Sequence, residues 1–416
     1  MRGNEFLNKM ELIDPAYVEA ADISTKPKKN KSAWAKWVAM AACLGLIVAS
    51  TLIFSSNRPT DQTDPSTPVL PQLPTLTLSE NTGESMGFEG YFEGYMAYDI
   101  SELINGNPWD EDVEISTLPV YRNTLIYDEN LIATGADLEQ MERMLYDVAA
   151  RLGIEENELV ITDAPDEEQQ ALIKEKFEAV GDKVPDGYFN PTKLIGESNG
   201  ITIEVSLTMT ATIEFKPPVE LPEDYHFLYH CSYEDILFAA EYLKETYSEL
   251  IGTNNPVANI YNGDYNIYQQ QDFNLTFYDG SGDLETQIVN YNFRGVAFYP
   301  NDDGQLMLAR VFNPDLSDKV GDYPIITVED AKTLLKNGNY ITTVPYELPD
   351  MESVKKVELL YRNNTRDEYY IPFYRFLVEL PEEERDGGMK TYGAYYVPAV
   401  HESYISNMPI WDGSFN

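Results

Sequence analysis

His226 and His230 stand four residues apart beside Cys231, the one place where two imidazoles and a thiol could meet a metal ion if the stretch were helical. Tyr225-His226-Phe227-Leu228-Tyr229-His230 reads instead as a strand with half-buried side chains, and no metal site is assigned there. Asp279, Ser281, Asp283 and Glu285 alternate like the first ligands of a calcium loop. Leu284, however, stands where that turn needs glycine, which favours a plain hairpin tip. Arg375, flanked by Tyr374 and Phe376, is one of few cations in an acidic region. With Tyr374 it forms the candidate ligand-binding pair, its guanidinium open either to a ligand carboxylate or to an internal ion pair. No Gly-x-Ser-x-Gly elbow, His-Glu-x-x-His pair, phosphate-binding loop or dinucleotide fingerprint is present, and only three histidines are available as bases near neutral pH. No catalytic residue and no cofactor is assigned.

The elements around these residues begin with charge. Over 416 residues, 70 Asp and Glu against 29 Lys and Arg give a net charge of −41, which argues against a nucleic-acid binder. Trp37 to Phe54 runs eighteen residues without a charge, enough at about 1.5 Å per residue nearly to span a bilayer core of roughly 30 Å. Lys26, Lys28, Lys29, Lys31 and Lys36 precede this transmembrane helix and only Arg58 follows closely, which puts the N-terminus in the cytoplasm and the rest outside the cell. The acidity belongs to the outer part: residues 1–58 carry 8 basic and 5 acidic groups, leaving −44 beyond Arg58. Of the two cysteines, Cys43 falls in the apolar run, so no disulfide to Cys231 is expected and the outer part must hold by packing.

Residues 1–36 form a cytoplasmic arm in which Phe6, Met10, Ile13, Tyr17 and Val18 make an apolar stripe at helical spacing. So short an arm cannot bury a core of its own, and it is either inert or folds against a partner through residues 1–33. Residues 55–87, with Pro59, Pro65, Pro68, Pro71 and Pro74 among Thr, Ser, Asp and Gln, read as an extended linker. Phe-Glu-Gly-Tyr then occurs twice, Phe88 to Tyr91 and Phe92 to Tyr95, as a strand entering the domain, with carbohydrate stacking on the aromatics as a second reading.

Beyond it, helical spacing appears in Leu138, Met141, Leu145, Val148 and Leu152, again in Ile236, Ala240, Leu243, Tyr247 and Ile251 after Ser232, and in Ala331, Leu334 and Leu335 after a Thr327/Asp330 capping box. A fourth, less regular helix covers residues 167–180. Alternating runs at 201–215, 273–278, 285–293, 296–299, 306–312, 354–361, 370–380 and 392–397 read as antiparallel strands, with turns at 280–282 and 301–304. The expectation is an α+β ectodomain of repeated helix-on-antiparallel-sheet units, divided at the prolines of 217–222 into a first unit, 88–220, and a second region, 223–416.

Two stretches resemble known families. Asn4-Glu5-Phe6-Leu7-Asn8-Lys9-Met10-Glu11-Leu12-Ile13-Asp14-Pro15-Ala16-Tyr17-Val18, followed by the lysine run and Met40-Ala41-Ala42-Cys43-Leu44, resembles a group of single-pass membrane proteins of Firmicutes often encoded beside extracytoplasmic-function sigma factors. That resemblance implies an anti-sigma-like role with a sigma factor as partner, although residues 1–36 lack the zinc-binding His/Cys pattern of many anti-sigma domains. The stretch from Ile326-Thr327-Val328-Glu329-Asp330-Ala331 through Val357-Glu358-Leu359-Leu360-Tyr361, Ile371-Pro372-Phe373-Tyr374-Arg375-Phe376 and Tyr395-Tyr396-Val397-Pro398-Ala399 is similar to the repeating unit of YycH/YycI and PepSY-like extracytoplasmic regulators. There a helix packs on strands and the unit serves inhibition or sensing. Together these readings lead to a membrane-anchored sensing or regulatory protein with an unknown extracellular ligand. The alternative is a surface-anchored binding module for a peptide, glycan or cell-wall ligand.

Overall fold

The computed structural model describes residues 72–78, 93–127, 133–134, 137–162, 167–364, 367–383 and 387–413. The expected cytoplasmic arm, the expected membrane span at 37–54 and the stripe Phe6, Met10, Ile13, Tyr17 and Val18 lie outside them. Among the described residues no helix is long and apolar enough to cross a membrane.

The helices begin where local chemistry starts them. Asp137 accepts from the Gln140 amide to open α1 (Leu138–Arg151), whose Met141, Leu145 and Val148 are buried. α2 (Glu167–Ala179) exposes Leu172 to solvent. Ser232 and Asp235 form a capping box for α3 (Tyr233–Thr246), and α4 (Ser248–Ile251) follows and stops at Gly252 in a left-handed conformation. α5 (Leu284–Phe293) starts on Asp283, and α6 (Val328–Lys336) on Thr327.

α5 corrects the strand expected over 285–293. Val289, Tyr291 and Phe293 alternate as a strand would, but Leu284 and Ile288, and likewise Val289 and Phe293, also stand one helical turn apart, and all four pack in the same core. The Asp283 side chain, accepting from Thr286 N at 3.0 Å, commits the segment to the helix. The acidic alternation before it is consumed locally, because Asp279 Oδ1 accepts from Ser281 N at 2.9 Å. Residues 280–282 therefore join a strand to a helix rather than closing a hairpin.

Eight antiparallel strands form the first sheet in the order β5 (Val160–Thr162), β6 (Lys193–Ser198), β7 (Ile201–Ser206), β8 (Thr210–Val219), β12 (Leu306–Phe312), β11 (Gly295–Pro300), β10 (Gln271–Asp279) and β9 (Pro256–Tyr265). Two helix-then-meander runs are thus joined edge to edge by their last strands. α1 packs on β6 and β7, and α3 on β9 and β10. Both cover one face, over a core that includes Val205, Ile213, Phe277 and Phe298.

The second sheet takes its strands from both ends of the described chain: β1 (Gly94–Ala97), β17 (Lys390–Pro398), β16 (Tyr369–Glu379), β2 (Thr117–Arg122) and β13 (Lys319–Pro324). β14 (Ile341–Thr342) adds to β17 and β15 (Val354–Arg362) to β16, while β3 (Ile126–Tyr127) and β4 (Ala133–Thr134) make a separate two-stranded ribbon. One face of this sheet meets α5 and α6 through Phe293, Leu335, Tyr374 and Phe376. The other carries Phe373, Leu377, Tyr392 and Tyr396.

Two expectations about organisation give way. The prolines of 217–222 do not divide the domain: Pro217 and Pro218 lie within β8, and Val219 pairs with Leu306 of β12, so the first sheet runs across the expected boundary. Gln72–Asn416 form one compact unit. Nor is 72–78 free linker. Leu76 forms a parallel bridge with Ile405, its amide donates to Tyr404 O at 2.7 Å, and its carbonyl accepts from Ser406 N at 2.9 Å. Asn407 clasps Leu78 at both its amide and carbonyl, at 2.8 and 2.9 Å. Leu76 and Leu78 are buried among Tyr323, Tyr392 and Tyr404. The proline-rich composition signalled extended backbone; the alternate leucines turn that backbone into a strap, each buried leucine contributing about 1.5–3 kcal/mol.

Candidate functional site

Where the uncovered face of the first sheet approaches the second, a solvent-open cleft of about 420 Å³ is lined from one side by Asn259, Tyr261 and Thr276, and from the other by Lys356, Glu358 and Arg375. Alternation along the strands places these charges. In β15, Lys356, Glu358 and Leu360 share one face, while Leu359 and Tyr361 enter the core on the other. Antiparallel pairing sets Glu358 directly opposite Arg375 of β16, and Arg375 opposite Tyr396 of β17.

The Glu358 carboxylate is fully engaged. Oε2 accepts from Arg375 Nε at 2.8 Å and lies 2.6 Å from Nη2; Oε1 lies 2.9 Å from Lys356 Nζ and accepts from Asn105 Nδ2. Its side chain is 3% exposed and that of Arg375 20%. Burial alone would raise the Glu358 pKa, but the Arg375 and Lys356 charges outweigh it and hold the carboxyl at about 2. Despite its own burial, Arg375 is kept charged by Glu358. Lys356 also donates to Leu103 O at 2.7 Å. A carboxylate so held cannot serve as a base near neutral pH.

Phenols and amides surround this network. Tyr95 of β1 places its hydroxyl 3.5 Å from Arg375 Nη1 and 3.3 Å from Glu93 Oε1, and Tyr396 donates to Glu93 Oε2 at 2.5 Å. Burial pushes the Tyr95 and Tyr291 hydroxyls well up, and that of Tyr261 to about 12, so all three stay protonated. Asn262 and Gly263 both have positive φ, 84° and 85°, in the middle of β9. The register of β9 with β10 shifts there, a bulge that turns Asn262 toward the cleft. Gly263 cannot be replaced without strain, because a Cβ there would collide with the Glu102 carbonyl.

Arg375 is therefore at the cleft and ion-paired. Tyr374 is not: adjacent strand residues face opposite ways, and its hydroxyl donates to Ile326 O at 2.8 Å inside the core, with Trp109 beside its ring at 5.6 Å. The expected ligand-binding pair is thus separated by the sheet. His226 and His230 lie in neither helix nor strand, and His230 Nδ1 pairs with Asp272. Among the described residues no three His, Cys, Asp or Glu side chains gather as metal ligands. The sequence reading missed Lys356, Glu358, Asn105, Tyr261 and Tyr291. A signal existed for the first two, since Lys-x-Glu at same-face spacing interrupts an apolar strand, but only the pairing register shows that Arg375 stands opposite.

The cleft continues at Arg294, Gly295 and Phe312 into a second groove of about 670 Å³ bordered by Arg143, Asp147 and Arg151. There Arg151 pairs with Asp147 at 2.6 Å. Protein-family models and curated proteins provide no match to this chain.

Proposed function

We propose that this chain is a membrane-anchored extracytoplasmic sensing protein that holds a polar ligand in the cleft and relays its occupancy to the tether. One observation carries the reading. Leu103 and Leu377 line the cleft and belong to the same apolar cluster as Leu76 and Leu78 of the strap, the segment next to the proline-rich stretch. A ligand that shifts the cleft wall presses on the layer holding the strap. A packed layer shared by two sites is a physical basis for coupling, provided it has two arrangements. On the far side of the anchor, the stripe Phe6, Met10, Ile13, Tyr17 and Val18 would bind a sigma factor, an anti-sigma-like role for this chain.

The cleft by itself favours a second reading, a surface-anchored binding module with an inert arm. Titrating the full chain with a purified extracytoplasmic-function sigma factor separates the two. Sensing predicts saturable binding, abolished when Phe6, Met10 and Ile13 are together replaced by Asp, whereas the module predicts none at tens of micromolar.

A further inference from the structure

The cleft also carries information about its occupant, and the following rests on its being a binding site. At its buried floor the charges cancel: Lys356 and Arg375 face Glu358, with Glu93 bridged to them through Tyr95, while the remaining lining charge, Arg294, is exposed at the junction with the second groove. The four donors on Glu358 leave it no capacity to hold a cation, and the acidity of the surrounding domain opposes an anion. A peptide adding as a strand needs free backbone at the cleft edge, and that edge is taken. Asn262 O accepts from Ile104 N at 3.1 Å, Leu359 O from Asn107 Nδ2 at 3.0 Å, and Tyr361 N donates to Asn292 Oδ1 at 2.9 Å.

What stays open is of another kind. Among the described residues the Tyr291 hydroxyl and the Asn262 side-chain amide have no hydrogen-bond partner, although both line the cleft. Arg375 Nη1 has only the Tyr95 hydroxyl near it, at 3.5 Å. Beside these groups lie the half-buried rings of Tyr95, Tyr261 and Tyr291 and the apolar Leu360 and Leu377. Neutral donors and acceptors alternating with aromatic and aliphatic surface match a ligand that carries hydroxyls around an apolar ring. We infer that the cleft binds a neutral saccharide, Arg375, Asn262 and Tyr291 meeting its hydroxyls and the tyrosine rings its C–H faces. A cleft of 420 Å³ accommodates one or two sugar rings.

The test is isothermal titration of the full chain, in a detergent without a sugar headgroup, against cellobiose, di-N-acetylchitobiose, trialanine and inorganic phosphate. Saturable binding of a disaccharide is expected, weakened about fivefold by Tyr291→Phe, the loss of one hydrogen bond. Asn262→Gly, which keeps the left-handed backbone, should weaken it similarly, while Tyr188→Phe outside the cleft leaves it unchanged. Binding of trialanine or phosphate alone, sensitive to Tyr291→Phe, overturns the saccharide and leaves a binding cleft. Binding of none of the four up to millimolar concentration overturns both, as does saccharide binding indifferent to both cleft variants.

Discussion

The two sheets solve different problems. In the eight-stranded sheet α1 and α3 cover one face, and along β8 the other is open, so β8 alternates buried Ala211, Ile213 and Phe215 with Thr210, Thr212 and Glu214. In the seven-stranded sheet both faces are covered, and after Lys390 every residue of β17 is buried. A charge on the first sheet's open face costs little and needs no partner. One on the second must be paired, which is why Arg375, Glu358 and Lys356 form a closed network there. The cleft opens where the uncovered face of one sheet meets this network.

That contrast predicts unequal responses to the same kind of change. Arg375→Ala leaves Glu358 buried with one cation fewer and should destabilise by about 3–5 kcal/mol in denaturant unfolding. The double replacement Arg375→Met with Glu358→Leu should recover most of that loss. On the strap, Leu76→Ala should cost about 2–5 kcal/mol, and a loss well under 1 kcal/mol would mean that the strap is not part of the fold. Asp283→Ala, which removes the cap that makes α5 a helix, should cost about 1 kcal/mol. Lys193→Ala, which breaks the exposed Lys193–Glu204 pair at 2.6 Å on the first sheet, should cost about 1 kcal/mol or less.

Acid should read out the same asymmetry. Glu358 is held at about 2 in the folded chain, below the roughly 4.3 of an unfolded glutamate. Its contribution is therefore present in full above the unfolded value and is lost as pH falls from about 5 toward 2. Melting temperatures followed over that range should fall less steeply in Glu358→Gln than in the unaltered chain. Equal slopes would remove Glu358 as a source of acid lability.

Much of the fold could be read from local pattern. The helices begun by Ser232 and Thr327 announce themselves by capping boxes, and β10, β11, β12, β15, β16 and β17 by alternation or apolar runs. α5 could not be told from a strand by alternation alone, because Val289, Tyr291 and Phe293 fit the strand period while Leu284/Ile288 and Val289/Phe293 fit the helical one. The joining of β8 to β12, and of β1 to β17, depends on contacts between residues far apart in sequence that no local pattern encodes. The site was legible only as Arg375. Pairing it with Tyr374 ignored the two faces of a strand, and its partners Glu358 and Asn105 come from other elements.

Coupling between cleft and strap is read by hydrogen exchange. The full chain would be followed with and without saturating di-N-acetylchitobiose. The account predicts slowed exchange both at residues 259–262 and 291–295 and at the Leu76 and Leu78 amides, which donate to Tyr404 and Asn407. Protection confined to the cleft, with the strap amides unchanged, would contradict it and leave a binding module that does not report to its tether.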